Sequence, residues 1–417
     1  MSNEYVPKYE DWTEQDYLND EHIRYCVPMT AHALEDEAEQ DLKLNDPQNI
    51  VEEKFDGTRA ILQFMSYGCR VFSRRISKKT NWFTENSDSL PQMRDLTIPE
   101  LAGTIIDGEM FIPDRPFKDV SATMNCKWDK AIERQKELGE VVLHTFDILY
   151  YRGMCIERLS LRRRKKFLSK VTAILKKYGV TCIVEVPYFE CGSPIQIEHN
   201  EPYDTWFQSF SNARKYYEHI VSRGGEGVII KDLNAPYEHK RSKGFLKIKK
   251  FYTRECILIG FTEPTKYYDG KFPDDHWDYW ETPDGREDVF PVDSAKSLIK
   301  RGFKPLTKFY YGRWVGNMQF GVIITPEEAK KLPKGKKFDL YDMSVNGTTK
   351  TILYVGECSG FDDELRERLN ITYVGKVIEV KCNEIFKDTG KLRHPRFLRF
   401  RDDKDPEECT YANHITE

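Results

Sequence analysis

Residues 52–59 read Glu52-Glu53-Lys54-Phe55-Asp56-Gly57-Thr58-Arg59, a K-x-D-G-x-R pattern in a short turn. A lysine attacks phosphorus only as the free amine, and the ordinary pKa of its side chain is about 10.4. We therefore expect Lys54 to be partly buried or to have cations nearby. Gly57 would let the backbone approach a phosphate or a ribose, and Arg59 would donate to their oxygens. A surface turn is the alternative, because Asp-Gly is common in turns.

The composition places the chain in a broad class. Its 417 residues favour two or three domains. No apolar run approaches the roughly 20 residues that span a bilayer, so we expect no membrane segment. The net charge of -4 means that any nucleic-acid-binding surface must be local. Ten cysteines without a C-x-x-C pair, behind a polar start that is not a secretory signal, favour a cytoplasmic location, and a nuclear one stays open.

Two further segments carry polar side chains on predicted strands. Residues 103–111 form an apolar strand in which Asp107 and Glu109 share one face, and a cation or a sugar hydroxyl is expected between them. Residues 144–150 form another strand, where Phe146 either stacks on a purine or belongs to the core. The alternative for the two acids is an exposed hairpin tip.

Lysines alternate with apolar residues in a later strand, residues 243–250, which follows a strand that opens with Glu226. Lys247 and Lys249 share a face, where their repulsion suits a polyphosphate and would favour the free amine of Lys54. A charged edge strand is the alternative. Helices are predicted over residues 31–44, 160–178 and 205–223, and the five basic residues 162–166 are interpreted as a solvated helix face.

The character of the sequence changes near residue 252. Short strands follow one another with little helix, which predicts a small β-barrel. An aromatic-rich insertion, residues 266–313, separates the first two of these strands. Its first half is acidic and its second half is basic.

The ordered set of these segments resembles the covalent nucleotidyltransferases, and the end of the chain resembles ATP-dependent DNA ligases of the compact phage and viral type. The segments that carry the resemblance are Lys54-Phe55-Asp56-Gly57-Thr58-Arg59, Asp107-Gly108-Glu109, Phe146-Asp147-Ile148, Glu226-Gly227-Val228-Ile229-Ile230-Lys231, Lys247-Ile248-Lys249, and the terminal Arg396-Phe397-Leu398-Arg399-Phe400-Arg401-Asp402-Asp403-Lys404. The resemblance covers residues 28–260 and 315–408.

The resemblance implies an α+β fold. Residues 1–27 would be an N-terminal segment, residues 28–251 an adenylation domain of antiparallel sheets with helices, and residues 252–417 an OB-fold domain that contains the insertion. The 53 residues ahead of Lys54 are too few for a helical DNA-binding domain.

The resemblance also implies a role for each site residue. Lys54 would carry AMP, Glu52 would recognise the adenine amino group, and Phe146 would stack on adenine. The remaining expected ligands of ATP and of Mg²⁺ or Mn²⁺ are Arg59, Arg74 and Glu109 for sugar and phosphate, Glu109 and Glu226 for the metal, Lys247 and Lys249 for phosphate, and Arg401, Asp403 and Lys404 for the leaving pyrophosphate.

The function implied is sealing of nicked duplex DNA by a monomer, in replication, repair or recombination. The insertion would supply DNA contacts through Trp277, Tyr279, Trp280, Lys308, Tyr310 and Tyr311, or bind a protein partner. Two alternatives are an RNA ligase or capping-type nucleotidyltransferase, and a non-catalytic OB-fold nucleic-acid binder. A phage-encoded protein would work in the host cytoplasm.

Overall fold

The computed structural model describes residues 6–201, 204–270, 278–290, 295–386 and 388–416. The chain divides into two compact units, Met1–Lys250 and Phe251–Glu417. All ten cysteines are free thiols. Among the described residues, none of the helices has the length and apolar character needed to cross a bilayer.

The first unit is built mainly from strands. In chain order they are β1 (Thr30–Ala33), β2 (Asn49–Glu53), β3 (Thr58–Met65), β4 (Gly68–Ile76), β5 (Phe83–Glu85), β6 (Ile105–Phe111), β7 (Val142–Tyr151), β8 (Met154–Cys155), β9 (Ile183–Glu185), β10 (Tyr188–Glu190), β11 (Ile195–Glu201), β12 (Asp204–Phe210), β13 (Gly227–Asp232) and β14 (Arg241–Lys249). Its helices are α1 (Glu14–Asn19), α2 (Glu37–Leu44), α3 (Pro91–Arg94), α4 (Phe117–Met124), α5 (Trp128–Leu138), α6 (Leu161–Lys177) and α7 (Ala213–Ser222), with 3₁₀ turns at Ser87–Ser89 and Pro99–Leu101.

Two sheets organise this unit. One has the order β1-β14-β13-β2-β10, and the other has the order β5-β4-β3-β6-β7-β8 with β9 beside β7. Most neighbours are antiparallel, whereas β1 with β14 and β7 with β9 are parallel pairs. The chain crosses from the first sheet to the second between β2 and β3, which is where Lys54 lies.

Apolar contacts join the two sheets below this crossing. Ile50 of β2 and Phe245 of β14 belong to one buried cluster with Ile61 of β3 and Leu149 of β7. Leu161, the first residue of α6, is part of the same cluster. Burying such side chains contributes about 1.5–3 kcal/mol each, so this cluster stabilises the crossing between the sheets.

Residues ahead of β1 pack on the outer part of the second sheet. Arg70 of β4 is fully buried, and its guanidinium carbon lies 3.7 Å from the ring centroid of Tyr9 and 4.1 Å from that of Trp12. Glu85 accepts two hydrogen bonds from the same guanidinium, at 2.5 and 2.7 Å. The aromatic residues of the N-terminal segment therefore enclose a buried ion pair.

Two predicted helices begin later than their sequence pattern indicates. Thr30–Ala33 is a strand paired with β14, and the helix starts only after Asp36, whose side chain accepts from the Glu39 amide at 2.8 Å. Residues 204–210 form β12 in a hairpin with β11, and α7 starts after the cap Asn212. In both places backbone pairing overrides a helical apolar pattern, and a capping side chain sets the first helical residue.

The second unit contains β15 (Tyr252–Phe261), β16 (Tyr279–Glu281), β17 (Glu287–Val289), β18 (Lys304–Pro305), β19 (Met318–Ile323), β20 (Leu340–Val345), β21 (Thr348–Cys358), β22 (Val377–Cys382), β23 (Glu384–Ile385), β24 (Leu392–Arg393) and β25 (Arg396–Phe400). Its helices are α8 (Ala295–Lys300), α9 (Lys308–Tyr311), α10 (Pro326–Ala329), α11 (Asp363–Arg368) and α12 (Tyr411–Ile415), with 3₁₀ turns at Ile371–Tyr373 and Pro406–Glu408.

The main sheet of this unit has the antiparallel order β20-β21-β19-β15-β22-β25. An isolated bridge also joins Ser359, just after β21, to Arg396 of β25. His414 of α12 is buried at one end, where its Nε2 donates to the Gly390 carbonyl at 2.6 Å. Burial lowers the pKa of His414 to about 4, with the Gly390 bond opposing and Arg254 adding to the shift.

The insertion forms a small substructure of its own. Its strands pair in the order β17-β16-β18, and Trp280 is fully buried in a cluster with Ala295 and Leu298. The prediction that Trp280 contacts DNA is therefore wrong, because the indole fills the core of the insertion. Trp277 lies outside the described residues.

Candidate active site

Lys54 directly follows β2 at the crossing between the two sheets. Its amide donates to the Gly227 carbonyl at 2.9 Å, which fixes the backbone against β13. Gly57 ends the turn where a Cβ atom would lie 2.3 Å from the Met110 carbonyl oxygen. The close approach that we expected at Gly57 is thus made to strand β6, and only glycine fits there.

The Lys54 ammonium lies in a group of charges drawn from one sheet. Glu226 accepts from Lys54 Nζ through one carboxylate oxygen and from Lys249 Nζ through the other. Gly227 follows with φ of +139°, and a Cβ there would meet the Ile248 carbonyl oxygen at 2.1 Å. The pKa of Lys247 is lowered by burial and then by repulsion from Lys249 and Lys54. Two lysines therefore pair with one carboxylate, and Lys247 lies close enough to both lysines to be repelled by them.

Arg59 supplies the cation expected beside the two acids of β6. Its Nε and Nη2 donate to the two oxygens of Asp107 at 2.6 and 2.7 Å, and Nη2 also donates to the Met29 carbonyl at 2.9 Å. Asp107 is fully buried and also accepts from the Tyr237 hydroxyl at 2.6 Å. This bidentate pair orients the arginine, so Asp107 positions Arg59 within the site.

Glu109 lies opposite Arg59 in the register of β6 with β3. Burial raises its pKa to about 7, Arg59 and Lys54 oppose the shift, and Glu226 adds to it. Carboxylate oxygens are the ligands that Mg²⁺ prefers. Two carboxylates that repel each other would be stabilised by a divalent cation, so Glu109 and Glu226 fit the metal role that the resemblance implies.

Two cations lie close to the aromatic ring of Phe146 in β7. The Arg59 guanidinium carbon lies 4.4 Å and Lys231 Nζ 4.2 Å from the ring centroid. An adenine base that stacks on Phe146 would have to displace one of these cations or share the ring with it. The ring is partly exposed, unlike the fully buried Asp147 beside it.

Glu52 is buried between two lysines. Lys165 Nζ lies 2.6 Å from Glu52 Oε1, and Lys231 Nζ lies 2.5 Å from Glu52 Oε2. Burial lowers the pKa of Lys231 to about 8, although Glu52 opposes that shift. Lys165 comes from α6, so a helix outside the recognised motifs contributes a cation to this group of charges.

The interpretation of residues 162–166 as a solvated face is wrong for two of them. Arg164 is fully buried and donates to Asp147 at 2.8 and 3.0 Å, and Lys165 is 2% exposed. A signal was present in the sequence, because both residues lie one helical turn before the buried Leu168. Tyr237 was also missed, and Lys231 was recognised only as part of a motif, without a role. Their separation from Asp107 and Glu52 along the chain gave no indication of these partners.

The other predicted ligands are exposed or belong to the second unit. Arg74 is exposed in β4, beyond the buried part of that strand. Arg401 donates to Asp403 at 2.8 Å twice and pairs with Glu255, while Lys404 lies 3.2 Å from Glu408. The cations expected to bind pyrophosphate are thus held by carboxylates of their own unit.

A partly buried lysine at the crossing of two sheets, with carboxylates and further lysines around it, has the layout of a covalent nucleotidyltransferase. A family model described as ATP dependent DNA ligase domain matches residues 28–249. The chain belongs to the family of ATP-dependent DNA ligase domains, and the family recognised from the sequence is thereby confirmed.

Individual relatives agree with this family. The chain is 25% identical over 252 residues to the SPbeta prophage-derived DNA ligase-like protein LigB of Bacillus subtilis, covering 60% of this chain and 77% of that protein. It is 26% identical over 367 residues to a DNA ligase of Archaeoglobus fulgidus, covering 86% of this chain and 52% of that protein. The chain thus spans about half the length of the Archaeoglobus relative.

A solved structure from a study of Lig E DNA ligases, on DNA binding with a minimal scaffold, shares the fold. The TM-score is 0.50 at 18% identity, covering 90% of this chain and 98% of that one. The predicted α+β fold class is therefore confirmed.

Proposed function

We propose that this protein is an ATP-dependent DNA ligase that seals nicked duplex DNA, in replication or repair. The observation that carries the proposal is the placement of Lys54 at the crossing of the two sheets, beside Glu226, Lys247 and Lys249. Membership of residues 28–249 in the family supports it. The roles of the individual residues below are part of the proposal.

In the first step, Lys54 Nζ attacks the α-phosphorus of ATP, a P–N bond forms, and pyrophosphate leaves. Lys247 and Lys249 would spread the phosphate charge, since phosphoryl transfer depends on positioning and electrostatic stabilisation. Arg59, held by Asp107, would donate to the sugar or α-phosphate. Lys54 must lose a proton to attack, and Glu226 is the acceptor nearest to its Nζ.

Glu109 and Glu226 would hold a divalent metal ion such as Mg²⁺ or Mn²⁺. When bound, the ion would neutralise charge on the triphosphate. Arg401 and Lys404 would contact the leaving pyrophosphate after release from Asp403, Glu255 and Glu408. Such a release requires the second unit to change its contacts between steps.

The two later steps transfer the nucleotide and close the DNA. AMP passes from Lys54 to the 5′-phosphate at a nick, which forms a pyrophosphate linkage and frees the lysine. The 3′-hydroxyl then attacks that 5′-phosphate, and AMP leaves as the phosphodiester forms.

DNA contact is proposed for the insertion through a set of exposed basic residues on or next to α8, called here the α8 cations: Lys296, Lys300 and Arg301. Three exposed cations near one short helix can neutralise phosphates. Lys308 is less suited, because it already pairs with Asp363. Binding of a protein partner at this surface is the alternative.

The test uses ATP labelled at the α-phosphate, with Mg²⁺ and the full chain. The wild-type protein should become labelled, Lys54→Ala should not, and Lys166→Ala, on the exposed part of α6, should behave as wild type. Nicked DNA, nicked RNA and hybrid duplexes would then be offered. Label retained by Lys54→Ala would contradict the nucleophile, and sealing of RNA alone would favour the RNA-ligase alternative.

A further inference from the structure

Helix α6 contributes a lysine to the nucleotide pocket that none of the recognised motifs contains. The side chains of Lys165, Glu52 and Lys231 are each 2% exposed. Each oxygen of the Glu52 carboxylate faces one ammonium group, Lys165 on one side and Lys231 on the other. Lysine is almost never buried to this extent unless it is paired, so the contact is a specific one.

The two lysines are not equivalent. Lys231 also lies 4.2 Å from the ring centroid of Phe146 and 4.7 Å from that of Phe245. Burial lowers the pKa of Lys231 to about 8, although Glu52 opposes that shift. Lys165 lies 4.5 Å from the ring centroid of Tyr188, the register partner of Glu52 on β10. Lys165 therefore approaches the carboxylate from the helix, away from Phe146.

The charge of Glu52 matters for reading a base. A carboxylate can only accept hydrogen bonds, whereas a protonated carboxyl can also donate one. The 6-amino group of adenine is a donor, and the 6-oxo group of hypoxanthine is an acceptor. An anionic Glu52 thus favours adenine and repels a 6-oxo purine.

We propose that Lys165 is a positioning residue that holds Glu52 as an oriented anion and thereby sets the preference of the site for ATP over 6-oxo purine nucleotides. The inference rests on the proposed function, since it needs Glu52 to face the base. Arg164, the residue before Lys165, pairs with Asp147, the residue after Phe146. Consecutive residues of α6 therefore support both the hydrogen-bonding and the stacking side of the pocket.

The experiment compares formation of the Lys54 adduct from ATP and from inosine 5′-triphosphate, which differs from ATP at the 6-position. The apparent second-order rate constant of adduct formation is measured for each nucleotide with the full chain, under single-turnover conditions. We expect Lys165→Met to lower the ATP-to-ITP ratio by about tenfold or more, because selectivity that depends on a polar pairing is large. Lys165→Arg, which keeps the cation, should retain most of the ratio, and the control Lys166→Met should leave it unchanged.

A purely structural role for Lys165 would slow both nucleotides equally, and an unchanged ratio would overturn the inference. A wild-type protein without preference for ATP would do the same. If Lys165→Met does not fold, Lys165→Gln, which removes the charge but keeps a polar side chain, carries the comparison.

Failure of the inference can be told from failure of the proposed function. Glu52→Gln introduces an amide that can donate to a 6-oxo group, so it should shift the ratio toward ITP. A shift in Glu52→Gln without one in Lys165→Met would leave the function standing and overturn only the role of Lys165. Absence of any adduct on Lys54 in the wild-type protein would overturn the proposed function itself.

Discussion

Replacing Arg164 with methionine tests the buried pair that supports Phe146. Arg164 donates to Asp147 at 2.8 and 3.0 Å, to the Leu159 carbonyl at 2.6 Å and to the Ala235 carbonyl at 2.9 Å. Both side chains of the ion pair are fully buried. Methionine nearly preserves the volume, so the main loss is electrostatic.

The expected loss of stability depends on the interactions that Asp147 retains without Arg164. Burial by itself raises the pKa of Asp147, and Arg164 is the main group that brings it below its ordinary value. Without Arg164, the carboxylate keeps the Ile148 amide at 2.8 Å and the weaker attraction of Lys231. Removing one partner of a buried pair costs about 3–5 kcal/mol. For a unit of this size we expect an unfolding midpoint lower by about 6–20 °C.

The assay is thermal unfolding of the full chain followed by circular dichroism, together with labelling of Lys54. Arg163→Met is the matched control, because Arg163 is the exposed residue before Arg164 on the same helix. Adding Asp147→Asn to Arg164→Met removes the unpaired charge and should cost less than the sum of the two single changes. A midpoint for Arg164→Met equal to that of Arg163→Met would refute the reasoning.

Three further predictions concern other parts of the chain. His414 has a folded pKa of about 4, below its ordinary 6.5, so its contribution to the free energy of unfolding is complete above pH 6.5 and is lost as the pH falls toward 4. This loss is about 3 kcal/mol, so His414→Gln should flatten the pH dependence of the unfolding midpoint, and an unchanged pH dependence would contradict the prediction. Gly227→Ala should lower the unfolding midpoint and slow labelling of Lys54, because the added Cβ clashes with the Ile248 carbonyl. Gly224 also has a positive φ but lies in open space, so Gly224→Ala should show backbone strain alone, and equal effects of the two changes would argue against the clash. Changing the α8 cations to glutamate should weaken binding to nicked DNA and reduce its salt dependence by up to about three counterions, and unchanged affinity and slope would remove the insertion from the DNA-binding surface.

The sequence was most informative where local patterns coincide with strands. The segments around Arg59, Asp107 and Phe146 were predicted as strands, and the structure confirms β3, β6 and β7 there. Alternation of apolar and polar residues is a local property, so it survives without knowledge of the partner strand. The predicted helix boundaries near Thr30 and Asp204 were wrong, because Thr30–Ala33 pairs with the distant strand β14 and residues 204–210 pair with β11 in a hairpin.

The charge partners within the pocket were harder to predict. Glu52 and Lys165 are far apart in the chain; α6 packs against β7 and β9, and the long side chain of Lys165 reaches Glu52 of β2. A run of basic residues favours a solvated face, since charged side chains are seldom buried. Arg164 and Lys165 depart from that rule because each pairs with a buried carboxylate. The sequence around Glu52 and Asp147 gave no indication that these carboxylates pair with residues of α6.

Helix α6 supplies partners for buried carboxylates in both sheets of the first unit. Asp107 of β6 and Asp147 of β7 are register partners, and both are buried. Arg59 of the neighbouring strand β3 forms an ion pair with Asp107, whereas Arg164 of α6 forms one with Asp147. Glu52 in the other sheet takes Lys165 from the same helix. Displacement of α6 would leave Asp147 without its main partner, whereas Glu52 would keep Lys231 of β13. Because an unpaired buried charge costs several kcal/mol, we expect a shift of α6 to affect the sheet that contains β7 more strongly than the sheet that contains Glu52.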